Sequence, residues 1–403
     1  MNCFHGIHAV TPGFPKRSKQ EADKCETLAS KTDINGFRIV GTSSTLNLYS
    51  QWEASYSKKQ IERAQKWAKF IKDQNSFVSS KEMKQLVRKG APNKIRGRLW
   101  MDLSGASRKF ASNTGLYQKL LNAAAIAADP TSLSLIEVDL YRTFPNHPRF
   151  NAAAPDSDSQ VSKTDEIQCK STESSQDEPP LIQSLRRVLR AYSARNKLVG
   201  YCQGMNFIAG AMLLFLDEES AFWLLTTLLE DILPADYFAH DLIGCHVDLM
   251  ALEELLPQAA PRVSLILGEV GLGIELLALE WMVGAFVRSL PSEAALRIWD
   301  CLFSEGGKVL FRAALALTRS AEPELAARVA SCRSKERKEE AALAWMQGVG
   351  KGHVDADRVL KEAFALPLRR RDIEQARHRC RSRLSPLGSG LAAGGGKSEP
   401  PSA

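Results

Sequence analysis

From Gln51 to Gln74 the chain places Trp52, Tyr56, Ile61, Ala64, Trp67 and Ile71 near helical spacing, which predicts an amphipathic helix leading into the main body. A second helix is expected over 80–87, and Gly90-Ala91-Pro92 breaks it before Arg96-Gly97-Arg98-Leu99-Trp100 opens another. From Leu116 to Tyr141, and again from Leu181 to Thr318, Ala- and Leu-rich apolar stripes recur at helical period. Polar or Pro-marked joints such as Asp217-Glu218-Glu219-Ser220 and Leu233-Pro234 separate them. Alternating β-branched runs are few, so the pattern predicts an all-α fold. Residues 1–31 show no periodicity, and the N-terminal region through 48 is expected to be poorly ordered. Lead-in helices then occupy 49–84, one large helical domain 85–320, C-terminal helices 321–383 and a disordered low-complexity tail 384–403. Residues 151–180, rich in Ser, Asp and Gln with almost no large apolar side chains, read as a flexible insertion in the large domain.

Composition narrows the class. At 403 residues and 44% hydrophobic, the chain can bury a core of one large or two ordinary domains. The longest apolar stretch, Met205 to Leu216, stops at Asp217-Glu218-Glu219, too short to cross a bilayer. The first residues lack an apolar segment behind a basic one, so no secretory signal is visible and a cytosolic protein is expected. Eight cysteines without a CxxC pair fit reduced thiols better than a disulfide framework or a structural zinc site. Much of the net charge of +7 comes from Arg369, Arg370, Arg371, Arg377, Arg379, Arg381 and Arg383. A solvated helix face is favoured there over a site for acidic lipid or nucleic acid, since no aromatic residue interleaves the arginines.

Two short stretches carry candidate chemistry. Asp139 and Arg142 stand three apart and are neighbours on a helix surface, so the carboxylate can orient the guanidinium. Pro145 disfavours helical geometry at Phe144, which ends the helix near Arg142 and presents a long cation at its exposed end. In Gly200-Tyr201-Cys202-Gln203-Gly204-Met205-Asn206, an amide side chain sits between two glycines just before an apolar helix. Such a Gln can offer both a donor and an acceptor to one water molecule. Gly394-Gly395-Gly396-Lys397-Ser398 looks like the end of a phosphate-binding loop, but Leu391 stands where the first glycine is required.

The stretch IEVDLYRT, with Ile136, Asp139 and Arg142, together with YCQGMN, resembles the paired motifs of the TBC-domain family of Rab GTPase-activating proteins. Arg96 and Trp100 in RGRLW resemble that family's opening motif, and Arg297-Ile298-Trp299-Asp300 before EGGKVLFRAALAL its closing helices. The similarity covers about residues 85–318, and more loosely Ile34–Phe37 and Asp355–Leu360. It implies a V-shaped helical domain whose groove holds a GTP-bound Rab-type small GTPase, without enzymatic chemistry of its own. Arg142 would be an arginine finger and Gln203 a second finger that positions the attacking water. Asp139 would hold Arg142, with Ile136 supporting, while Tyr201, Gly204 and Asn206 would shape the turn and touch the partner's switch region. Arg96, Trp100, Trp299 and Asp300 are assigned to the core. No metal or cofactor is expected, because GTP and magnesium belong to the partner. Nor is nucleic acid, and membrane association would be peripheral, on endomembranes, through the GTPase. The alternative is an idle TBC-fold scaffold, whose mark would be loss of Arg142 or Gln203. The chain departs from the family in its 151–180 insertion and in the less aromatic stretch Glu280–Phe286.

Overall fold

The computed structural model describes residues 29–41, 43–72, 77–127, 129–151, 178–351 and 354–384, so most of the insertion and the glycine-rich tail lie outside the described residues. Two strands, β1 (Ala29–Thr32) and β2 (Arg38–Gly41), form an antiparallel hairpin ahead of the long helix α1 (Ser43–Ile71). This corrects the expectation of a poorly ordered region through residue 48. Four-residue strands are too short for alternation to register, and the hairpin is held by partners far along the chain.

Helices α2 (Lys81–Lys89), α3 (Asn93–Ser104), α4 (Ala106–Ala111), α5 (Leu116–Ala127) and α6 (Pro130–Leu140) precede the insertion. After it come α7 (Pro180–Arg195), α8 (Met205–Leu213), α9 (Glu218–Thr227), α10 (Ile243–Ala259), α11 (Pro261–Val270) and α12 (Glu275–Val283). The chain closes with α13 (Ser292–Glu305), α14 (Lys308–Ser320), α15 (Glu322–Ala330), α16 (Lys335–Gly348), α17 (Ala356–Ala365) and α18 (Arg370–Leu384). Starts follow local chemistry. Ser80, Asp129 and Asp217 each cap a helix by accepting a backbone N–H three residues on. Helix α7 shows the amphipathic logic, with Leu185, Val188, Leu189 and Tyr192 fully buried and its arginines turned outward.

Helix α13 runs through the centre, buried on every side from Glu293 to Phe303, and packs on α2, α3, α14 and α17. Trp100 of α3 meets Trp299 of α13 edge to face at 5.6 Å, and both rings are wholly buried. Rings of this size remove enough apolar area from water to contribute roughly 4–6 kcal/mol each as an upper estimate. Charged residues of α13 at 293, 297 and 300 share one face. Arg96 donates to Glu293 at 2.8 and 2.9 Å and lies 3.3 Å from Asp300, whose carboxylate also accepts the indole N–H of Trp100 at 2.9 Å. Arg297 binds Asp357 of α17 at 2.8 Å and the carbonyl of Arg88 at 2.8 Å.

The arginines in the second half of α18 pair with the body, while Arg370 and Arg371 stay in solvent. Arg377 makes two bonds, of 2.6 and 2.7 Å, to the buried Asp248 of α10, and Arg381 two, of 2.7 and 2.8 Å, to Asp236. Arg379 reaches Glu254 at 2.6 Å, so the basic helix is docked on an acidic flank of the body.

Candidate functional site

Helix α6 directs Ile136, Asp139 and Leu140 inward, and Leu135, Val138 and Tyr141 outward. It stops at Leu140 because Pro145 denies Phe144 a helical backbone, and Phe144 takes a left-handed φ of 48°. The turn that results is closed by Arg142 N–H to Asp139 O (3.2 Å) and Thr143 N–H to Leu140 O (3.1 Å). The Arg142 side chain stands 61% exposed, with a guanidinium nitrogen 3.7 Å from the Asp139 carboxylate. The Phe144 ring, in contrast, is buried among Phe37, Phe150 and Phe207 at centroid distances of 5.1, 5.6 and 5.5 Å.

Between α7 and α8 the chain turns through two left-handed glycines, Gly200 (φ 59°) and Gly204 (φ 108°). A Cβ at Gly204 would meet the Val283 side chain at 2.7 Å, so only glycine lets this turn pass the end of α12. Gln203 projects to solvent between them, and its carboxamide has no hydrogen-bond partner among the described residues.

Two side chains tie these turns together. The Tyr201 hydroxyl donates to the Asp139 carboxylate at 2.8 Å. Asn206 accepts the Gly204 N–H at 3.1 Å and donates to the Thr143 hydroxyl at 2.8 Å and the Asp139 carbonyl at 3.3 Å. Asp139 therefore touches both turns, and a cation and a free carboxamide stand on adjacent, mutually bonded loops. Tyr201, Gly204 and Asn206, expected to shape the turn and touch a partner, are all buried in the free chain, Asn206 completely, with their polar atoms taken up in the stitching of the turn. Ile136 lies in the core, as do Arg96, Trp100, Trp299 and Asp300. Trp281 and Phe286 stack at 5.8 Å, so the less aromatic 280–286 stretch still closes the core behind the Gln203 turn.

Burial, and then the Asp139 carboxylate, push the Cys202 thiol up to about 11, which leaves it protonated and unreactive at neutral pH. Among the described residues no three His, Cys, Asp or Glu side chains gather to hold a metal, and no helix is long and apolar enough to cross a membrane.

Sequence reasoning missed the supports around the pair. Tyr141, next to Arg142, donates to Glu178 at 2.8 Å, and Arg186 binds both Glu178 (2.7 Å) and Glu137 (3.0 Å), which anchors the chain where it returns from the insertion. His147 lies beneath the Arg142 turn, donating from Nε2 to the Asn35 carbonyl (3.2 Å) and accepting the Arg149 N–H (3.2 Å). Burial lowers its imidazole pKa below the ordinary value, the Asn35 carbonyl and Asp33 pull it back in part, and Arg149 lowers it further. The unfolded chain thus binds this proton more readily, so the contribution of His147 to stability is present above about pH 6.5 and lost as pH falls through the lowered value. The stability difference between wild type and His147→Gln, read from denaturant unfolding, is expected to shrink between pH 7 and pH 5. An unchanged difference would contradict this.

A family model described as the Rab-GTPase-TBC domain matches residues 154–326, which includes the Gln203 turn and begins just after Arg142. Growth hormone-regulated TBC protein 1-A of Danio rerio is 36% identical over 315 residues, 78% of this chain and 81% of the relative. GTPase-activating protein MSB4 of Saccharomyces cerevisiae is 32% identical over 327 residues, 72% of this chain and 62% of the relative. The crystal structure of the Chlamydomonas flagellar RabGAP TBC domain superposes with a TM-score of 0.65 at 30% identity, covering 83% of this chain and 99% of that one. The Ypt/Rab-GAP domain of Gyp1p, at 19% identity and a TM-score of 0.54, shares the fold over 76% of this chain and 97% of its own.

Proposed function

The chain belongs to the Rab-GTPase-TBC domain family, and from that premise we propose that it stimulates GTP hydrolysis by a GTP-bound Rab-type GTPase, lending Arg142 and Gln203 in trans. The observation that carries this reading is the stitching of the two loops through Asp139, Tyr201 and Asn206, which leaves one exposed cation and one exposed carboxamide on adjacent, bonded loops. Negative charge builds on the phosphoryl oxygens as the terminal phosphate departs, and the guanidinium of Arg142 neutralises it. Gln203 is neutral and cannot do that, but its amide holds the attacking water by one donor and one acceptor. The nucleotide and its magnesium stay with the partner. Leu135, Val138 and Tyr141, exposed at i, i+3 and i+6 on the face of α6 that runs into Arg142, supply apolar area against the GTPase. By this activity the protein acts in vesicle trafficking, reaching endomembranes through its partner.

The test is phosphate release from a panel of GTP-loaded Rab GTPases, with wild type and with Gln203→Ala. Wild type is expected to accelerate at least one member, and Gln203→Ala to lose about 10²-fold of that effect, the cost typical of one preorganised donor. Binding without acceleration across the panel would favour an idle scaffold.

A further inference from the structure

We propose that the N-terminal turn at residues 33–38 is a positioning clamp for Arg142, acting from behind the loop that carries it; this rests on the hydrolysis-stimulating role proposed above. The turn is rigid by its own bonds. The Asp33 carboxylate accepts the N–H groups of Asn35 (2.9 Å) and Phe37 (2.8 Å), Gly36 takes a φ of +91°, and the Asp33 N–H closes on the Phe37 carbonyl at 2.7 Å. It is also anchored to the deepest helices. Ser292, at the start of α13, donates to Asp33 at 2.6 Å, and Asn93, at the start of α3, donates to the Asn35 side chain at 2.9 Å.

From that anchorage the turn grips the residues just beyond Arg142. The Arg38 N–H donates to the Asn146 carbonyl at 2.9 Å, and His147 donates to the Asn35 carbonyl at 3.2 Å. The Phe37 ring packs edge-on against both Phe144 (5.1 Å) and His147 (4.9 Å). Phe144 is the residue held in a left-handed backbone, a state that costs a non-glycine residue energy and persists only where surroundings enforce it. Asp139 and Asn206 hold the Arg142 turn on its N-terminal side, but the Arg142 side chain itself is mostly exposed, and its one ion pair among the described residues, to Asp139, is 3.7 Å long. On its C-terminal side the Arg142 turn takes its place from what presses on Phe144, and Phe37 is the ring there that comes from outside the domain proper.

The experiment uses the full chain and the GTPase that wild type accelerates most in the panel above. Phe37→Ala is expected to lower kcat about 10–100-fold with KM changed less than about threefold, since misplacing a reacting group by about 1 Å can cost 10²-fold without changing what binds. Phe37→Tyr, which keeps the ring, should restore kcat. In an Arg142→Ala background Phe37→Ala should have no further effect, and amide exchange over 142–147 should quicken in Phe37→Ala. Gly36→Ala carries the same measurements if Phe37→Ala does not fold, because alanine strains the turn at its φ of +91° and its added methyl would meet His147 Nε2 at 2.8 Å, displacing the turn from the loop it grips. A folded variant with wild-type kcat, or a loss of equal factor with and without Arg142, overturns the clamp. If Arg142→Ala is itself as active as wild type, the parent reading fails instead, and the exchange rates alone then decide whether the turn holds the loop.

Discussion

Arg142→Ala is expected to abolish about 10³-fold or more of the accelerated GTP hydrolysis while shifting the melting temperature by no more than about 2 °C. An arginine supplied in trans is worth on the order of 10³ to 10⁵ in rate, or roughly 4–7 kcal/mol of transition-state stabilisation. The same side chain is worth little to the fold. It is 61% exposed, its ion pair to Asp139 is long, and exposed substitutions of this kind stay within about 0.5 kcal/mol. Asp139 keeps its Tyr201 partner when Arg142 is cut back, so no buried carboxylate is left bare. Arg142→Lys should behave nearer to Ala than to wild type, because an ammonium is a point charge and lacks the planar fork that spans two phosphoryl oxygens. The decisive measurement is single-turnover phosphate release beside a thermal melt. Equal acceleration by wild type and Arg142→Ala would remove the arginine finger from this protein.

The two exposed side chains proposed as fingers were legible as candidates because their signals are local. Pro145 ends α6 within three residues of Arg142, and Gly200 and Gly204 bracket Gln203, so each exposed side chain announces itself in a short window. The helices were legible for the same reason, through their apolar period. What could not be read is what depends on partners distant in sequence. Asn206 looks like the polar first turn of a helix, and only the fold shows it bridging to Asp139 and Thr143. The arginines of α18 look solvated until Asp248, 129 residues away from Arg377, is seen beneath them. The hairpin at 29–41 draws its order from Asn93, Asn146 and Ser292, none of which its own sequence foretells.

Arg96→Met is expected to be the most destabilising single change outside the apolar core, costing about 3–5 kcal/mol, the range for removing one partner from a buried ion pair. Methionine fills the space of arginine's stem but not of its wholly buried guanidinium, so a packing loss accompanies the electrostatic one, and only the electrostatic part varies with pH. In the wild-type protein burial raises the Glu293 pKa, but the attraction and hydrogen bonds of Arg96 and the Tyr56 hydroxyl outweigh it and hold the group below the usual carboxylate range. Its contribution is therefore present at neutral pH and is lost only as pH falls below the unfolded value of about 4.5. Without Arg96, Glu293 and Asp300 remain buried with no cation bonded to either: burial already holds Asp300 above the usual carboxylate range and raises it further once the Arg96 charge is gone, and desolvation lifts Glu293 as well. The sign reverses: the variant should be closest to wild-type stability near pH 5 and lose ground as pH rises toward 8. Arg96→Met with Glu293→Gln should recover part of the loss at neutral pH, because the amide keeps an acceptor for Tyr56 and removes one charge. Denaturant unfolding at pH 5, 6, 7 and 8 measures all three proteins. A deficit that is equal at every pH, or smaller than about 1 kcal/mol, would mean that packing around Trp100 and Trp299, and not charge pairing, decides the stability of α3 against α13. Because Glu293 also lies within 3.5 Å of the Asn35 amide, the variant at neutral pH should loosen the N-terminal turn as well, and its amide exchange over 33–38 should quicken before the rest of the domain opens.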